Sequence, residues 1–522
     1  MQYSEIFVLG SLLFWTVAFL LRLGRREQGL PPGPPTVPLL GNAHLLREAA
    51  GDLHLKLTEW AREYGDIFSL KVGSGTMVVL SSATAIKEVV DKHAWAGSSR
   101  PGNYIAELSG SSGEYNVLFT TDCSRLRNLR RMLARFFSPQ NSLKYVPVQA
   151  AESTVLLHDL MTHPSDFSHS IRRYTHSLAK IFTYGQRAPS FHSDEVQQFY
   201  TSLDQLVHSI APGVYPPFDM LPVLKYLPKP LAPWRAVCDQ IGATRTALHT
   251  KLYRDTARWR AEGDLPECFI GKVQEMDVLL EEKTFYSSVP PPLYLTYTGI
   301  SLLDAGSDTT GAFLLSLVLV LAAYPECQAR AREEIDAVVG NTRLPELEDF
   351  TRMPYVGGLI NETLRFPAAV SDGRSAPHDG LHAIQYKDYV VPKDTVVVLN
   401  THALYHDPDV FEHPEVFNPD RFLQSKHGTR PGMDIDFRDN FLFGGGRQLT
   451  TMRLIWALEF GPPTDPKTNE SISRELCHYS SDFVVMPRPF KCAIQPRSRE
   501  HQEVVVQAFE DVQLLLSRYE GK

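Results

Sequence analysis

The sequence lacks the cysteine spacing of a zinc site or of a disulfide framework. Its six cysteines lie far apart and form no CxxC pair; they are Cys123, Cys238, Cys268, Cys327, Cys477 and Cys492. This spacing favours a reducing compartment. At most one cysteine is expected to carry chemistry, and all six can equally be inert, small apolar residues.

An excess of positive charge is also absent. The 522 residues include 52 Lys and Arg against 60 Asp and Glu, so the formal net charge is -8. This balance argues against nucleic acid as the main partner. A hydrophobic content of 43% with 21% charged residues is typical of a globular protein with a large core.

One long uncharged run is present, from Ile6 to Leu21, and it predicts a membrane anchor over residues 1–22. As a helix this run rises about 24 Å, slightly less than a hydrocarbon core of about 30 Å. The basic residues Arg22, Arg25 and Arg26 follow it, and the positive-inside tendency places them and the main domain in the cytosol. A cleaved signal peptide is the competing interpretation, but its basic cluster would precede the apolar run.

Residues 23–45 are predicted to form a basic, proline-rich hinge. Proline fixes φ and has no N–H, so the sequence LPPGPP at Leu30–Pro35 favours a stiff, non-helical spacer, as a plain linker also would. Neither an internal repeat nor a further linker follows. Residues 46–522 are therefore interpreted as one large domain.

The pattern of this domain is mainly α-helical with a minor β-sheet. Helical spacing covers about Asp52 to Gly65, and residues 67–80 have the pattern of a hairpin that turns at Gly73–Gly75. The chain is then mostly helical, with breaks at prolines, to about residue 286. Short strands are predicted at Tyr389–Val391 and Thr395–Leu399.

A long apolar helix is predicted to begin after Pro292. Its stretch Gly311–Ala323 is too short to span a bilayer comfortably and is interpreted as a buried core helix. The same helix contains the polar interruption Ala305-Gly306-Ser307-Asp308-Thr309-Thr310. A glycine there costs about 1 kcal/mol relative to alanine, which suggests close approach to the backbone. Because Asp308 and Thr309 are costly in an apolar helix unless bonded, they indicate a wet, functional groove; a Ser/Thr-rich kink is the alternative.

Two further motifs combine a carboxylate with guanidinium groups. Glu362 and Arg365 have i, i+3 spacing and share one helix face, although such pairs are common on helix surfaces. Arg421 lies in the loop Phe417–Phe422, and its five N–H donors can bind a carboxylate and backbone carbonyls together. A network of Glu362, Arg365 and Arg421 would hold this loop against the helix.

The order and spacing of these motifs resemble a microsomal cytochrome P-450 over nearly the whole chain. An AGxDT helix, an ExxR helix and a PxRF loop follow an apolar segment and a PPGPP hinge, and His406-Asp407-Pro408 is similar to the fungal enzymes of secondary metabolism. The resemblance implies a P-450-type helical domain and a haem cofactor. It also implies insertion of one oxygen atom into an apolar small molecule, an NADPH-dependent flavoprotein reductase as partner, and a single-pass location in the endoplasmic reticulum membrane.

The resemblance also implies roles for individual residues. Asp308 and Thr309 would relay protons to iron-bound oxygen, and Ala305 with Gly306 would form the groove for that oxygen. The network of carboxylate and guanidinium groups would be structural.

Contacts to the haem propionates are implied at two further positions. Arg130 would bind one propionate, and Leu126 stands where the family usually has tryptophan, which removes one hydrogen bond. His378 matches a second propionate contact. For Arg130, a solvated basic helix face is the alternative.

The family's haem loop, FxxGxRxCxG, is broken in this sequence. It begins correctly with Phe443, Gly446 and Arg447, which the resemblance assigns to cofactor binding. By direct counting, Thr450 then occupies the position of the cysteine and Met452 that of the second glycine.

A better alignment places a missing segment between Arg447 and Gln448. The run LIWALEF at residues 454–460 resembles the far end of the helix that follows the cysteine, so the cysteine and the first turns of that helix are absent. Cys477 lies beyond that helix in a polar segment and cannot replace it. No metal ligand is therefore assigned.

Oxygen activation is not expected without the thiolate. A thiolate donates electron density through the iron and favours O–O cleavage, whereas a threonine hydroxyl cannot do so. Thioether ligation, as by Met452, suits electron transfer. Loss of the helix turns would also disturb reductase docking. We therefore predict that this chain as it stands is impaired or inactive, and its status as an enzyme stays open.

Three hypotheses follow. The locus encodes a working monooxygenase, and this version lost a segment through a mis-assigned intron or a skipped exon. Alternatively, the protein is an inactive relative that serves as a membrane scaffold or binding protein. Thirdly, it binds haem or lipid through another ligand without oxygen activation. The substrate cannot be deduced, because the candidate contact loops Pro101–Glu114 and Pro212–Tyr226 carry no readable code.

Overall fold

A computed structural model gives the fold of most of the chain. It describes Ser11, Trp15 and residues 23–49, 51–93, 102–111, 116–211, 214–216, 218–219, 222–275, 291–367, 376–377, 383–434, 436–437, 447–472, 479–480 and 484–521. The predicted anchor over residues 1–22 therefore lies outside the described residues, apart from Ser11 and Trp15.

The first hairpin forms as predicted. Strands β1 (Ile67–Val72) and β2 (Gly75–Leu80) pair antiparallel, from Ile67 opposite Leu80 to Val72 opposite Gly75. Gly73 makes the turn with a φ of 58°, a conformation that glycine adopts without strain. Every residue of β1 is buried, so this hairpin forms part of a covered sheet.

The hairpin belongs to a four-stranded sheet with the order β1-β2-β6-β3. Strand β2 pairs in parallel with β6, and β6 pairs antiparallel with β3. The prediction of strands near residues 389–399 is confirmed. The remaining strands are β3 (Ala376–Pro377), β4 (Ile384–Tyr386), β5 (Tyr389–Val391), β6 (Val396–Leu399), β7 (Leu458–Phe460) and β8 (Ile494–Pro496), with β4 paired to β5 and β7 to β8.

Most of the other described residues are helical, which confirms the predicted fold class. In chain order the α-helices are α1 (Ala43–Glu48), α2 (Leu53–Tyr64), α3 (Ala83–Ile86), α4 (Tyr104–Ala106), α5 (Cys123–Phe136), α6 (Pro139–Ser142), α7 (Val146–Thr162), α8 (Phe167–Tyr184), α9 (Asp194–Ile210), α10 (Pro233–Glu262), α11 (Phe269–Glu275), α12 (Pro291–Ala323), α13 (Pro325–Val339), α14 (Pro354–Arg365), α15 (Thr401–Tyr405), α16 (Arg421–Gln424), α17 (Gln448–Ala457) and α18 (Arg499–Leu516).

The long helix α12 lies at the centre of the largest hydrophobic cluster. Leu317, Val318 and Leu321 are fully buried there, and α12 packs along α8 and against α14. By length and composition alone, Leu295–Ala323 could cross a membrane, but 72% of its most apolar window is buried inside the protein. Gly311–Ala323 is therefore part of the core, as predicted.

The start of the predicted hinge is docked on β1. Arg26 donates from Nε to Ser69 Oγ at 2.9 Å, from Nη1 to the carbonyl of Gly33 at 2.9 Å and from Nη2 to the carbonyl of Ser69 at 3.0 Å. Ser69 Oγ in turn donates to the carbonyl of Pro31 at 2.6 Å. The proline-rich stretch is thus non-helical and lies against the sheet. The domain boundary at residue 45 stays a prediction.

Candidate functional site

The polar interruption of α12 lies on an accessible face of the helix. Ala305 is exposed, and Gly306, Asp308 and Thr309 are partly exposed, whereas Leu303 on the opposite side is fully buried. Thr309 Oγ1 donates to the carbonyl of Ala305 at 2.8 Å, a bond to the preceding turn that slightly weakens the helix. This face is reachable from solvent and carries an acid and an alcohol. The proton relay through Asp308 and Thr309 stays a prediction.

Gly306 is explained by helix packing. A Cβ at this position would lie 3.0 Å from Cβ of Ala179 on α8, closer than ordinary carbon contacts. The sequence indicated a close approach to this backbone, and in the structure the approaching group is a neighbouring helix. The glycine thus allows α8 and α12 to lie close together beside the accessible face.

Asp308 also has a neighbour on another helix. Burial raises the pKa of Tyr200 on α9, and the nearby charge of Asp308 adds to that rise. Tyr200 donates to the carbonyl of Arg172 at 2.7 Å, which fixes its ring between α8 and α9. The charge of Asp308 on α12 therefore acts on a tyrosine of α9 that is hydrogen-bonded to α8.

A buried ion pair lies next to the polar interruption of α12, and the sequence patterns did not predict it. Arg245 of α10 donates from Nη2 to Oδ2 of Asp304 at 2.5 Å, and both side chains are buried. Burial raises the pKa of Asp304, and the charge of Arg245 opposes that rise. The available signal was a further carboxylate in an apolar helix, directly before Ala305. Its partner is 59 residues away, so spacing alone could not identify it.

The structure brings Glu362, Arg365 and Arg421 together. Arg365 donates from Nε to Glu362 Oε2 at 2.7 Å and from Nη2 to Oε1 at 2.9 Å, in a bidentate pair. Arg421 Nε donates to Glu362 Oε1 at 3.2 Å. All three side chains are at most 5% exposed, so the pairing compensates for the desolvation of the charges.

Both arginines of this network also hold backbone carbonyls. Arg365 donates to the carbonyls of Tyr405 at 2.7 Å and Pro414 at 2.9 Å. Arg421 donates to the carbonyls of Glu412 at 2.9 Å and Val416 at 3.1 Å. The network therefore ties α14 to the segment between α15 and α16, which is the geometry of a structural lock.

Arg130 is exposed on α5, whereas Leu126 and Leu129 of the same helix are buried. Asp122 accepts hydrogen bonds at the start of α5 from the N–H groups of Ser124 and Arg125, at 2.7 and 3.1 Å. The helix therefore presents Arg130 on its open side, and a role in propionate binding stays a prediction. His378 lies outside the described residues.

Only Arg447 of the predicted haem loop is described, since Phe443 and Gly446 lie outside the described residues. Its guanidinium is buried, 4.8 Å from the ring centre of Phe313 on α12. Burial lowers the pKa of Arg447 to about 10. The end of this loop thus reaches the central helix.

Thr450 and Met452, at the positions of the expected cysteine and glycine, both point into the protein core. Thr450 is 4% exposed, and its Oγ1 lies 2.6 Å from the phenol oxygen of Tyr174 on α8. Met452 is fully buried in the largest hydrophobic cluster. Thr450 is thus hydrogen-bonded within the core and Met452 is packed there, and the absence of a metal ligand at these positions stays a prediction.

Helix α17 is further fixed by residues that the sequence analysis did not single out. Arg453 donates to the carbonyls of Pro345 at 2.9 Å and Ala150 at 2.6 Å, and Trp456 donates to the carbonyl of Gly340 at 2.7 Å. The helix ends at Ala457, so only the first half of the LIWALEF run is helical and the second half is β7.

Four cysteines, Cys238, Cys268, Cys327 and Cys492, do not fit a haem–thiolate site. Burial raises the pKa values of the Cys238 and Cys327 thiols, and it raises the pKa of Cys492 to about 12. Cys268 is also buried, and its sulfur accepts a hydrogen bond from the N–H of Gly271. A ligand thiolate needs a lowered pKa and an open position, whereas the pKa values of Cys238, Cys327 and Cys492 are raised and Cys268 is buried.

Comparison with known proteins identifies the family. The family model of cytochrome P-450 matches residues 31–447. A cytochrome P-450 monooxygenase of Armillaria gallica is 34% identical over 519 residues, which cover 97% of this chain and 96% of the relative. Another, of Rhodocybe pseudopiperita, is 32% identical over 516 residues and 94% of each chain, and one of Aspergillus clavatus is 31% identical over 549 residues and 99% of each. With its family match over more than half of its length, the chain belongs to the cytochrome P-450 family.

Proposed function

We propose that the protein has the scaffold of a fungal monooxygenase that inserts one oxygen atom into an apolar small molecule in secondary metabolism, and that this chain as it stands is impaired in oxygen activation. The accessible face at Ala305, Asp308 and Thr309 supports the first part, together with the full-length similarity to fungal monooxygenases. One observation carries the second part: Thr450 and Met452 are buried in protein contacts.

The partners and location follow from the same scaffold. The uncharged run at Ile6–Leu21 with its following arginines supports a single-pass anchor in the endoplasmic reticulum membrane, with the domain in the cytosol. Haem is the expected cofactor, and an NADPH-dependent flavoprotein reductase is the expected electron donor. Both depend on the region around Arg447, so docking of the reductase is expected to be weakened as well.

The test is an optical spectrum of the full 522-residue chain, expressed with haem present, reduced and exposed to carbon monoxide. The control is a restored variant that carries, between Arg447 and Gln448, the corresponding segment of the Armillaria gallica relative. We expect a thiolate-type difference spectrum from the restored variant and none from the natural chain. A thiolate-type spectrum from the natural chain would overturn the proposed impairment, and a folded restored variant without that spectrum would overturn the monooxygenase scaffold.

Sequencing of the transcript across Arg447–Gln448 separates the two origins of the gap. A message that contains the missing codons supports a working monooxygenase at this locus. An uninterrupted message without a cysteine codon at this point rules out a mis-assigned intron or a skipped exon. The 522-residue chain is then the protein that the gene encodes.

The alternative function is an inactive membrane scaffold or binding protein, and the packing of α17 favours it. Arg453 donates to Ser153 Oγ and Thr154 Oγ1 of α7 at 2.9 and 3.0 Å, so the helix is anchored without the missing turns. A haem-free protein that unfolds in one cooperative transition is expected on this view. Aggregation or a molten state of the natural chain would speak against it.

A further inference from the structure

Three side chains that can bind a metal ion meet where α8 begins. Asp166 is the last residue before α8, His169 lies in the first turn of the helix, and His192 lies in the segment directly before α9. Their ligand atoms all lie within 4.8 Å of one another. His192 comes from a different element than the other two, so the cluster joins two helices through side chains alone.

Each oxygen of the Asp166 carboxylate faces a different imidazole. Oδ1 lies 2.5 Å from Nδ1 of His169, and Oδ2 lies 3.5 Å from Nε2 of His192. Around a tetrahedral zinc ion, ligand atoms at about 2.0–2.2 Å from the metal are roughly 3.3–3.5 Å apart. The Oδ2–Nε2 distance already has this value. One ligand atom from each of the three residues lies within 4.8 Å of the others, so the widest of these separations has to close by up to about 1.3 Å, which a side-chain rotation can provide.

Both imidazole rings are oriented by one core residue. The buried ring of Phe191 stacks on His169, with centres 4.3 Å apart and an interplanar angle of 13°. The ring of His192 lies edge-on to the same phenylalanine, with centres 5.8 Å apart and an angle of 85°. Because Phe191 also packs against Tyr200 of α9, this arrangement is tied to the core and reduces the entropy lost on binding.

The donor set and its accessibility select the class of ion. Two imidazole nitrogens and one carboxylate oxygen suit Zn²⁺ and neighbouring transition metals, whereas Mg²⁺ and Ca²⁺ prefer oxygen ligands. The side chains of Asp166, His169 and His192 are 40%, 46% and 71% exposed, so an ion can enter and water can complete its coordination. The partial positive charge at the start of α8 opposes a cation, and the charge of Asp166 offsets it.

We propose that Asp166, His169 and His192 bind a divalent transition-metal ion, best matched by Zn²⁺, that links the start of α8 to the segment before α9. Of these two helices, α8 carries Ala179, which packs on Gly306 of α12, and α9 carries Tyr200, which interacts electrostatically with Asp308 of α12. A bound ion therefore links α9 to α8, the helix that packs along α12 at Gly306. The site uses neither haem nor the residues near the gap, and it is independent of the proposed function.

The test is calorimetric titration of the full chain with ZnCl₂, after treatment with a chelator and without a histidine tag, and with MgCl₂ as the comparison ion. We expect one saturable Zn²⁺ component that Mg²⁺ does not reproduce. His192→Ala removes the most exposed ligand, and we expect at least tenfold weaker Zn²⁺ binding. The thermal midpoint of this variant without zinc should equal that of the natural chain, and the zinc-induced rise in the midpoint should be lost.

His413→Ala is the matched control. His413 is also an exposed histidine beside a carboxylate, with Nδ1 3.6 Å from Glu415 Oε1, but it belongs to no three-ligand cluster among the described residues. We expect its zinc binding to equal that of the natural chain. The proposal is overturned if the natural chain shows no saturable Zn²⁺ component, if His192→Ala binds Zn²⁺ as tightly as the natural chain, or if His413→Ala weakens binding equally.

Discussion

The Oγ1 atom of Thr450 lies 2.6 Å from the phenol oxygen of Tyr174, and both side chains are buried. Burial raises the pKa of Tyr174 to about 12, so its hydroxyl stays protonated and can donate to Thr450. This contact engages the hydroxyl of Thr450, the residue that direct counting places at the cysteine position, with a residue of α8. It also makes that assignment testable by a single substitution.

Replacing Thr450 by cysteine is expected to leave the protein without a haem–thiolate signal. The new thiol would face Tyr174 in the core, as the hydroxyl does now, and burial would keep it protonated. The lost hydroxyl–hydroxyl bond is expected to lower the free energy of unfolding by about 1 kcal/mol. The checks are the reduced carbon monoxide difference spectrum and the thermal midpoint of Thr450→Cys. A thiolate-type spectrum of this variant would show that residue 450 does face the iron.

Glu362→Gln is expected to destabilise the protein strongly. Glu362 is fully buried and is the carboxylate shared by Arg365 and Arg421, so its neutralisation leaves two buried guanidinium groups without a counter-charge. Removal of one partner of such a pair typically costs 3–5 kcal/mol, about half of the stability of an ordinary domain. The measurement is chemical denaturation of the full chain in detergent.

The control for this change is Glu503→Gln. Glu503 pairs with Arg499 Nε at 2.8 Å, but the side chains are 62% and 88% exposed. Solvent screens such a pair, so we expect its loss to have no measurable effect on the denaturation midpoint. Equal losses for the buried and the exposed acid would contradict the structural role of the network.

Acid is expected to destabilise the fold through two stacked histidines. The rings of His402 and His406 are parallel with centres 4.1 Å apart, and both are buried. Burial lowers the pKa of His402 to about 2 and that of His406 to about 3, with the neighbouring cations adding to the effect. In the unfolded chain both have a pKa of about 6.5.

The direction in which stability changes with pH follows from proton uptake. Between pH 6.5 and 3 the unfolded chain binds protons that the folded protein excludes, so stability falls as the pH decreases through this window, by about 1.4 kcal/mol per pH unit and histidine. Above pH 7 the two residues contribute no pH dependence. The measurement is the denaturation midpoint between pH 7.5 and 5. His406→Gln should reduce the slope, whereas the exposed His413→Gln should leave it unchanged; an unaltered slope in His406→Gln rejects this assignment.

Sequence patterns predicted those parts of the molecule that depend on neighbours in the chain. The hairpin at residues 67–80 needs only alternating apolar residues and a glycine turn, and α12 needs only a long apolar run between prolines. The end of α17 at Ala457 depends instead on a residue far away in the chain. Leu458 leaves the helix because it pairs with Pro496 of β8, and no local pattern contains that partner.

The contacts of the candidate site also divide into local ones, which the sequence predicts, and distant ones, which it does not. The pairing of Glu362 with Arg365 is local, since i, i+3 spacing places both on one helix face. The contact of Thr450 with Tyr174 joins residues 276 positions apart, and Arg245 reaches Asp304 across 59 positions. Such contacts depend on how whole helices pack, so they are visible only in the folded structure.

Gly306→Ala is expected to be less favourable than an alanine elsewhere in the same helix. Alanine gains about 1 kcal/mol of helix propensity over glycine, but at Gly306 its Cβ would lie 3.0 Å from Ala179. Gly311→Ala is the matched control, because its Cβ would lie 3.6 Å from Thr175 Oγ1, an ordinary contact. We therefore expect Gly311→Ala to be neutral or stabilising, and Gly306→Ala to be at least about 1 kcal/mol less stable than that control.

In a double-mutant cycle, Ala179→Gly should relieve part of the loss at Gly306, because it removes the opposing Cβ. Additive effects of the two changes would mean that α8 and α12 do not meet at this glycine.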